Sequence, residues 1–387
     1  MDLVRLYLDY NATSPLSQSV LNWLKSGEML FANPSSQHSS GKFSRKVINE
    51  TRSLIYKTFS KSENDSKLFF HSGATESIIT FAHSFSEWTR QNKKELLICF
   101  SKTDHQAVTA LVGKFLGSHV KFLELKISPN LNYQHDENFK NLQEMKASNP
   151  DLVILYHHLW VHNETGLVSS LESLKIFKNI PDLYLHVDSV QAPGKTESWR
   201  HLNVGDIFSF SAHKFGAMKG LGFSFFKKDL PFFPLISGGG QQGSLRSGTE
   251  NPLAVMSLKL ALTDLEAIDV SKNTLQRIKL EEFIKAELSG LGHVITHQNQ
   301  CSNTIYFYLN SYASDIALAL FDLEGMEISA GSACSSGAAK ESAVLTQMGL
   351  HKVARNGLRL SFSFQLSDEG LFLIQERFKR VVSRLRN

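Results

Sequence analysis

The sequence predicts an α/β fold in which helices cover a mainly parallel sheet. Short apolar runs alternate with longer segments of helical periodicity through the first two thirds of the 387 residues, a pattern typical of strands joined by crossover helices. After Asn251-Pro252 longer helical stretches take over, which indicates a second, smaller α+β domain. Sheets of this kind bind ligands beyond the carboxyl ends of their strands, so a functional site is expected there.

Seven apolar runs are the candidate strands of this sheet. They cover residues 67–70, 96–100, 120–125, 152–156, 183–187, 207–210 and 222–226. Helical spacing is found between several of them, at residues 76–90 and 106–116, and later at 253–291, 314–323 and 368–385. We therefore predict a large domain at residues 15–252 and a small α+β domain formed by residues 1–14 and 253–387.

The composition is that of an ordinary soluble protein, with 42% hydrophobic and 20% charged residues. The net charge of +4 is small for this length, and lysine and arginine are spread along the chain, so we expect no direct contact with nucleic acid. No run is long and apolar enough to cross a membrane, and the first residues do not resemble a signal peptide. We expect a cytoplasmic protein without a membrane partner.

The three cysteines form an odd set without paired spacing, which predicts no disulfide framework and a reducing compartment. Cys99 and Cys301 lie in or beside apolar strand-like runs and are expected to be buried. Cys334 instead lies in Ser-Ala-Gly-Ser-Ala-Cys-Ser-Ser-Gly, where Gly331 and Gly337 loosen the backbone. These small neighbours favour a reactive, approachable thiol. The alternative is a loop cysteine without a role.

Polar residues directly follow four of the predicted strands, where packing does not require them. After residues 67–70 the chain continues His-Ser-Gly-Ala-Thr-Glu into a helix. The backbone N–H groups at Ala74 and Thr75, together with the Thr75 hydroxyl, would form an anion site suited to phosphate. The alternative is a simple turn in which Ser72 or Thr75 caps the helix.

A second strand end carries Asp188 and Gln191 in His-Val-Asp-Ser-Val-Gln. A carboxylate at a buried strand end costs several kcal/mol unless a cation or hydrogen-bond donors meet it. The protonated nitrogen of a heterocycle would be such a partner, and the Gln191 amide could donate to a neighbouring ring oxygen. The alternative is an aspartate that caps the next turn.

A third strand end carries Lys214 in Ser-Phe-Ser-Ala-His-Lys-Phe-Gly. Partial burial lowers the pKa of a lysine and makes its amine a usable nucleophile for a Schiff base. The alternative is a lysine that reaches to solvent, as Lys219 would. A Schiff-base lysine, an acid for a pyridinium nitrogen and a phosphate site together predict pyridoxal phosphate as cofactor.

The fourth strand end carries His105, which could stack on a cofactor ring and shuttle protons, or could simply cap a surface helix. Other histidines, notably His157, His158 and His162, could suggest a metal site, but no Cys, Asp or Glu lies at a spacing that would complete one. No metal cofactor is expected.

Read together, these motifs resemble the class V aminotransferase superfamily of fold-type I pyridoxal phosphate enzymes, specifically the cysteine desulfurases of the NifS/IscS type. The similarity extends from the Tyr-Leu-Asp-Tyr-Asn-Ala-Thr block at residues 7–13 to Arg359-Leu-Ser. Further matching blocks lie at residues 33–38, 72–76, 186–188, 211–214 and 246–249. Residues 331–336 resemble the sulfur-accepting loop of this group, whereas SufS-type enzymes and selenocysteine lyases carry a different loop sequence.

The resemblance implies a pyridoxal-phosphate-dependent transferase fold and a role for each matching residue. Lys214 would hold the cofactor covalently, Asp188 would bind its pyridine nitrogen, Gln191 its phenolic oxygen, and His105 would stack on the ring. The phosphate would be bound by Ala74, Thr75, Ser211 and His213, with Thr249 contributed by the second subunit of a homodimer. Asn163, Arg359 and the nearby Asn33 would hold the substrate carboxylate.

The implied reaction converts L-cysteine to L-alanine, and Cys334 accepts the sulfur as a persulfide. The sulfur would then pass to an acceptor protein, such as an iron–sulfur scaffold or a tRNA-thiolation protein, and Cys334 would contact a cluster only transiently. His162, Met218, Gln242 and Phe364 depart from the usual family pattern, but none replaces a residue with a chemical role. Another class V enzyme, such as a transaminase or selenocysteine lyase, and a non-catalytic scaffold or regulatory homologue are the alternatives.

Overall fold

A computed structural model of the chain describes residues 4–115, 119–331 and 341–386. The strands are β1 Leu6–Tyr7, β2 Ser66–His71, β3 Glu95–Phe100, β4 Val120–Glu124, β5 Leu152–Leu159, β6 Leu183–Asp188, β7 Ile207–Ser211, β8 Gly222–Lys227, β9 Gly292–Ile295, β10 Thr304–Leu309, β11 Met326–Glu327, β12 Ser329–Ala330 and β13 Gly357–Ser361. The α-helices are α1 Gln18–Ser26, α2 Ser39–Thr58, α3 Ala74–Gln91, α4 Gln106–Thr109, α5 Leu111–Lys114, α6 His135–Ser148, α7 Pro252–Glu266, α8 Val270–Glu287, α9 Ser314–Leu323, α10 Ala343–Gln347 and α11 Asp368–Arg386. Short 3-10 helices cover Glu172–Asn179, Ala212–Phe215, Gln241–Ser244 and His351–Val353.

Within the described chain, the large sheet has seven strands in the order β2-β8-β7-β6-β5-β3-β4. Strands β7, β6, β5, β3 and β4 pair in parallel, whereas β8 runs antiparallel to both β7 and β2. The predicted mainly parallel α/β sheet is thus confirmed. Each of the seven apolar runs forms one of its strands.

Helices cover both faces of this sheet, as the continuous apolar runs require. Alternation along β3 shows why: Leu97 and Cys99 join the core beneath α2 and α7, while Leu96 and Ile98 pack with α3 on the opposite face. Every residue of β5 is buried. The helices thereby leave the carboxyl-terminal edge of the sheet as the place where polar side chains can gather.

A second, antiparallel sheet has the order β12-β13-β10-β9 and forms a separate core with helices α8, α9 and α11. The N-terminal residues join this unit, because β1 pairs with β11 and Leu8 is buried in the same core. Helix α7 packs against α1 and α2 of the large unit. The predicted domain boundary at residue 252 stays a prediction.

Two predicted helices are interrupted. The segment 106–116 forms the short helices α4 and α5, where β-branched Val108 and Thr109 and the flexible Gly113 weaken helix propensity. The stretch 253–291 is divided because Asp269 caps a new helix, its carboxylate accepting from the Lys272 N–H at 2.9 Å. Among the described residues, no helix has the length and apolar character needed to span a membrane.

Candidate active site

A cavity of about 400 Å³ opens at the carboxyl ends of three neighbouring parallel strands. Leu159, Asp188 and Ser211 are the last residues of β5, β6 and β7, and all three line it. The remaining lining residues are Asn11, Ala12, Ala74, Thr75, Ile78, His105, Asn163, Val190, Gln191, His213, Lys214 and Arg359. The strand ends and the N-terminal segment therefore bring together most of the residues to which the sequence assigns a role.

One end of the cavity is formed by the start of helix α3. The Ala74 N–H donates to the Ser211 hydroxyl at 2.9 Å, which joins the helix start to the end of β7. Thr75 lies beside it in the first turn. The positive end of the helix dipole and these small polar groups favour an anion at this position.

His213 completes this end of the cavity. Its Nδ1 is hydrogen-bonded to the Thr13 hydroxyl at 3.1 Å. Burial and, secondarily, the positive charges of Lys214 and Lys219 lower the pKa of His213 to about 4. The ring is therefore neutral at pH 7 and acts as a hydrogen-bonding group there, not as a cation.

Asp188 supplies a buried carboxylate, 8% exposed, at the end of β6. Its Oδ1 accepts from the Val190 N–H at 3.0 Å. Burial raises the pKa of Asp188, while His105, Val190 and Lys214 act in the opposite direction. A cationic group in the cavity would compensate the cost of keeping this carboxylate ionised.

His105 is held at the cavity wall by the short helix α4. Its Nδ1 accepts from the Ala107 N–H at 3.1 Å, so the proton of the neutral ring lies on Nε2. This bond caps the helix and at the same time fixes the plane of the imidazole. Capping and a role in the cavity, the two alternatives for His105, are therefore compatible.

Lys214 is carried by the 3-10 turn Ala212–Phe215 directly after β7. Gly216 ends this turn with φ 98°, and a Cβ there would come within 2.9 Å of Ser17, so glycine is required. The Lys214 Nζ donates to the carbonyl oxygens of Asn11 and Ala12 at 2.8 and 2.9 Å. The amine is therefore held at a defined position of the cavity wall by neutral acceptors.

Arg359 lies on β13 and is 3% exposed. Its Nη1 donates to the Asn163 carbonyl at 3.0 Å, and its Nη2 donates to Asp9 Oδ1 at 2.6 Å and to the Ser329 hydroxyl at 2.7 Å. Its Nε is buried and has no hydrogen-bond partner among the described residues. An oriented guanidinium that lines a cavity is suited to a carboxylate.

Sequence reasoning gave no role to three residues around this site, of which Asn11 and Lys195 are buried. Asn11 contacts residues of both units, because its Nδ2 donates to the Thr304 hydroxyl at 2.8 Å and its carbonyl accepts from Lys214. Asp9 pairs with Arg359, and Lys195 donates to Asn11 Oδ1 at 2.9 Å. Asp9 and Asn11 lie in the N-terminal block noted above, which was the available signal; Lys195 follows Gln191 by four residues without any pattern.

Two of the described residues with a predicted role, Asn33 and Thr249, do not line the cavity. Asn33 is exposed, and its Oδ1 accepts from the Ser35 N–H at 2.9 Å. Thr249 is also exposed and lies in a separate cleft beside Arg246. Cys334 lies outside the described residues. The roles of these three residues stay predictions.

The described residues that precede Cys334 in the sequence lie beside Arg359. Strand β12 precedes Cys334, and Ser329 of β12 is the register partner of Arg359 on β13. The other two cysteines are buried: Cys99 at 0% exposure, where burial raises its pKa, and Cys301 at 1%, with Sγ 3.2 Å from the Thr304 hydroxyl. In the portion of the chain that the structure covers, no three His, Cys, Asp or Glu side chains are grouped as a metal site.

The family model described as aminotransferase class-V matches residues 6–372. A cysteine desulfurase of Cereibacter sphaeroides is 30% identical over 387 residues, covering 99% of this chain and 97% of the relative. The cysteine desulfurase IscS of Dictyoglomus turgidum is 29% identical over 395 residues, with 98% and 95% covered. A solved structure of a NifS-like protein superposes with a TM-score of 0.82 at 25% identity, covering 98% of this chain and all of the other. The chain therefore belongs to the aminotransferase class-V family, alongside the cysteine desulfurases that match it over its full length.

Proposed function

We propose that this protein is a pyridoxal-phosphate-dependent cysteine desulfurase, which converts L-cysteine to L-alanine and transfers the sulfur to Cys334. The observation that carries the proposal is the single cavity in which Lys214, Asp188 and Arg359 meet at the start of helix α3. An amine, a buried carboxylate and a guanidinium are the groups that an amino-acid substrate and this cofactor require.

The residues of the cavity fit pyridoxal phosphate. The start of α3, Thr75, Ser211 and neutral His213 offer donors to a phosphate, and the desolvated Asp188 needs a cationic partner such as a protonated ring nitrogen. Gln191 would bind the phenolic oxygen, and Lys214 would hold the cofactor covalently. The bound cofactor supplies an electron sink that weakens bonds at the α-carbon of the substrate.

Arg359 binds the substrate carboxylate in this proposal. Asp9, Ser329 and the Asn163 carbonyl hold the guanidinium plane before substrate arrives, so little freedom is lost on binding. The guanidinium lines the cavity in this fixed orientation. This geometry fixes the carboxyl end of cysteine and thereby the direction in which its thiol group points.

Lys214 and His105 act on protons at the substrate. The Lys214 amine is held by two backbone carbonyls, and its free form would take up a proton at Nζ. The His105 ring, capped at Nδ1 by Ala107, presents its exchangeable proton at Nε2. The neighbouring carboxylate of Asp188 keeps this part of the cavity polar while water is displaced by the substrate.

Cys334 accepts the sulfur. Its thiolate attacks the sulfur of the bound cysteine, the carbon–sulfur bond breaks, and the electron pair of that bond passes to the substrate carbon, which is then protonated to give alanine. L-cysteine and the Cys334 thiol thus become L-alanine and a Cys334 persulfide. The substrate carbon is reduced by two electrons, and the two sulfur atoms that form the persulfide are together oxidised by two electrons, so no further redox partner is needed.

The persulfide sulfur then passes to an acceptor protein, such as an iron–sulfur scaffold or a tRNA-thiolation protein. We also propose that the protein works as a cytoplasmic homodimer, with Thr249 of the partner subunit reaching the cofactor phosphate. The exposure of Thr249 and its separation from the cavity of its own chain agree with this arrangement.

The proposal is tested with the purified protein loaded with pyridoxal phosphate. We expect a visible absorption band, covalent fixation of the cofactor to Lys214 after borohydride reduction, and release of alanine from L-cysteine. Lys214→Ala should lose the covalent link and turnover, whereas the control Lys219→Ala, at an exposed lysine of the same loop, should keep both. A wild-type protein that binds no cofactor and forms no alanine would overturn the proposal.

A further inference from the structure

Lys195 is a buried lysine behind the wall of the active-site cavity. It is 1% exposed, although lysine is among the residues least often buried completely. Gly194, with φ 71°, turns the chain just before it. The ammonium lies 5.9 Å from the centre of the Phe364 ring and donates hydrogen bonds to two side-chain amide oxygens, Gln191 Oε1 and Asn11 Oδ1.

These two hydrogen bonds determine how the Gln191 amide is turned. Because Lys195 binds the amide oxygen, the Gln191 Nε2 must lie on the opposite side, where it donates to the Asn11 carbonyl at 2.9 Å. The terminal torsion of a glutamine is otherwise broad and nearly two-fold, so the amide could turn over without this contact. Lys195 therefore keeps a donor, and not an acceptor, on the cavity side of Gln191.

The same contacts reach the Lys214 amine. The Asn11 carbonyl that accepts from Gln191 also accepts from Lys214 Nζ at 2.8 Å, and the Asn11 side chain is held by Lys195. Lys195 thus contacts the Gln191 amide directly and is connected to the Lys214 amine through Asn11, while it does not line the cavity itself. A structural lysine would be expected to pair with a carboxylate or to reach solvent, and Lys195 does neither.

We propose that Lys195 is a positioning residue, which acts through Gln191 and Asn11 on the phenolic oxygen of the bound cofactor and on the Lys214 nitrogen. The inference rests on the proposed function, because it requires pyridoxal phosphate in the cavity. When Lys195 is protonated, its buried positive charge disfavours a second positive charge on the lysine-linked cofactor nitrogen. The oriented Gln191 donor stabilises the phenolate, and both effects lower the pKa of that nitrogen.

The electrostatic surroundings of Lys195 agree with this role. Burial lowers the pKa of Lys195 to about 7; Cys301 opposes this, and the charges of Lys214 and Arg359 contribute to it. The charge of Lys195 is therefore coupled to the charges of the two cavity residues that bind cofactor and substrate. Any change of charge at Lys195 should be visible in the cofactor spectrum.

The experiment follows the visible absorption of the loaded protein as a function of pH, without turnover. Lys195→Met keeps the unbranched stem and removes the charge and both donors, and we expect it to raise the midpoint of the pH-dependent colour change by about one pH unit. The control Lys219→Met, at an exposed lysine, should keep the wild-type midpoint. Lys195→Gln, which keeps an amide donor without the charge, should give a smaller upward shift.

A double variant tests the route through Gln191. In a Gln191→Leu background, Lys195→Met should move the midpoint less than it does in the wild type, because the amide that it orients is absent and only the effect of its charge remains. An equal shift in both backgrounds, or wild-type midpoints in Lys195→Met and Lys195→Gln, would overturn the inference and leave the proposed function standing. If Lys195→Met does not fold, Lys195→Gln alone decides by the same comparison. A wild-type protein without a cofactor band would instead contradict the proposed function.

Discussion

Replacing Arg359 with lysine separates the charge of this residue from its geometry. Arg359→Lys keeps a positive charge at 3% exposure but exchanges the guanidinium plane for a single ammonium group. The native side chain already makes hydrogen bonds to the Asn163 carbonyl, Asp9 and the Ser329 hydroxyl, at 3.0, 2.6 and 2.7 Å. A lysine cannot keep these contacts and also offer a planar pair of donors to a carboxylate.

The expected loss is that of at least one hydrogen bond between charged groups at the substrate. Such a bond contributes about 1.5–3 kcal/mol, which corresponds to a roughly 10- to 150-fold decrease in kcat/KM for L-cysteine. The cofactor spectrum should be unchanged, because Arg359 is assigned to the substrate. The loss should therefore appear in the substrate-dependent constants and not in cofactor binding.

Alanine formation from L-cysteine measures this effect across a range of substrate concentrations. The matched control is Arg384→Lys, at a half-exposed arginine on α11 that pairs with Glu324 and lies far from the cavity in the fold. Arg384 does not line the cavity, so kcat/KM should change by less than about twofold. An Arg359→Lys protein with kcat/KM close to that of the control would refute the assignment of Arg359 to the substrate carboxylate.

Two further predictions concern carboxyl groups. Asp188→Asn keeps the shape of the side chain but loses the charge, so turnover should fall at least about a hundredfold while the cofactor still binds; near-normal turnover, measured as alanine release, would mean that Asp188 only caps its turn. Burial raises the pKa of Asp104 from 3.8 to about 7. Between these pH values the unfolded chain loses a proton that the folded protein retains, so the free energy of unfolding falls as the pH rises from about 4 to about 7. Asp104→Asn should therefore gain stability relative to the wild type between pH 4 and pH 7, by at most about 4 kcal/mol. The free energy of unfolding of both proteins is measured by denaturant at several pH values, and a difference between them that does not change with pH would contradict the prediction.

Much of the fold could be predicted because buried parallel strands are short apolar runs that are visible along the chain. The same apolar runs located three cavity residues, because the carboxyl ends of parallel strands meet at one edge of the sheet. Asp188 and Ser211 directly follow such runs and end their strands, and Lys214 lies in the turn after Ser211. The break between α7 and α8 was not predicted. An N-cap residue such as Asp269 cannot be told from an ordinary helix residue when the segments on both sides have helical spacing.

The remaining parts of the site depend on contacts between residues far apart in the sequence. Asp9 and Arg359 are separated by 350 positions, and Asn11 contacts Lys195 and Thr304 from the other end of the chain. Spacing within one segment carries no information on such pairs. Lys195 was missed for a further reason: a lysine next to a glycine in a turn is usually exposed, and only the packed structure shows that it is buried.

The central claim is that sulfur from L-cysteine becomes bound to Cys334, and mass spectrometry of the protein after reaction with L-cysteine tests it most directly. We predict a mass gain of one sulfur atom on the peptide that contains Cys334, together with release of alanine. Cys334→Ser should bind the cofactor but carry no added sulfur and form no alanine, whereas Cys99→Ser and Cys301→Ser, at two buried cysteines, should react like the wild type. Alanine formation by Cys334→Ser at the wild-type rate, or added sulfur found on Cys99 or Cys301 instead, would contradict the account.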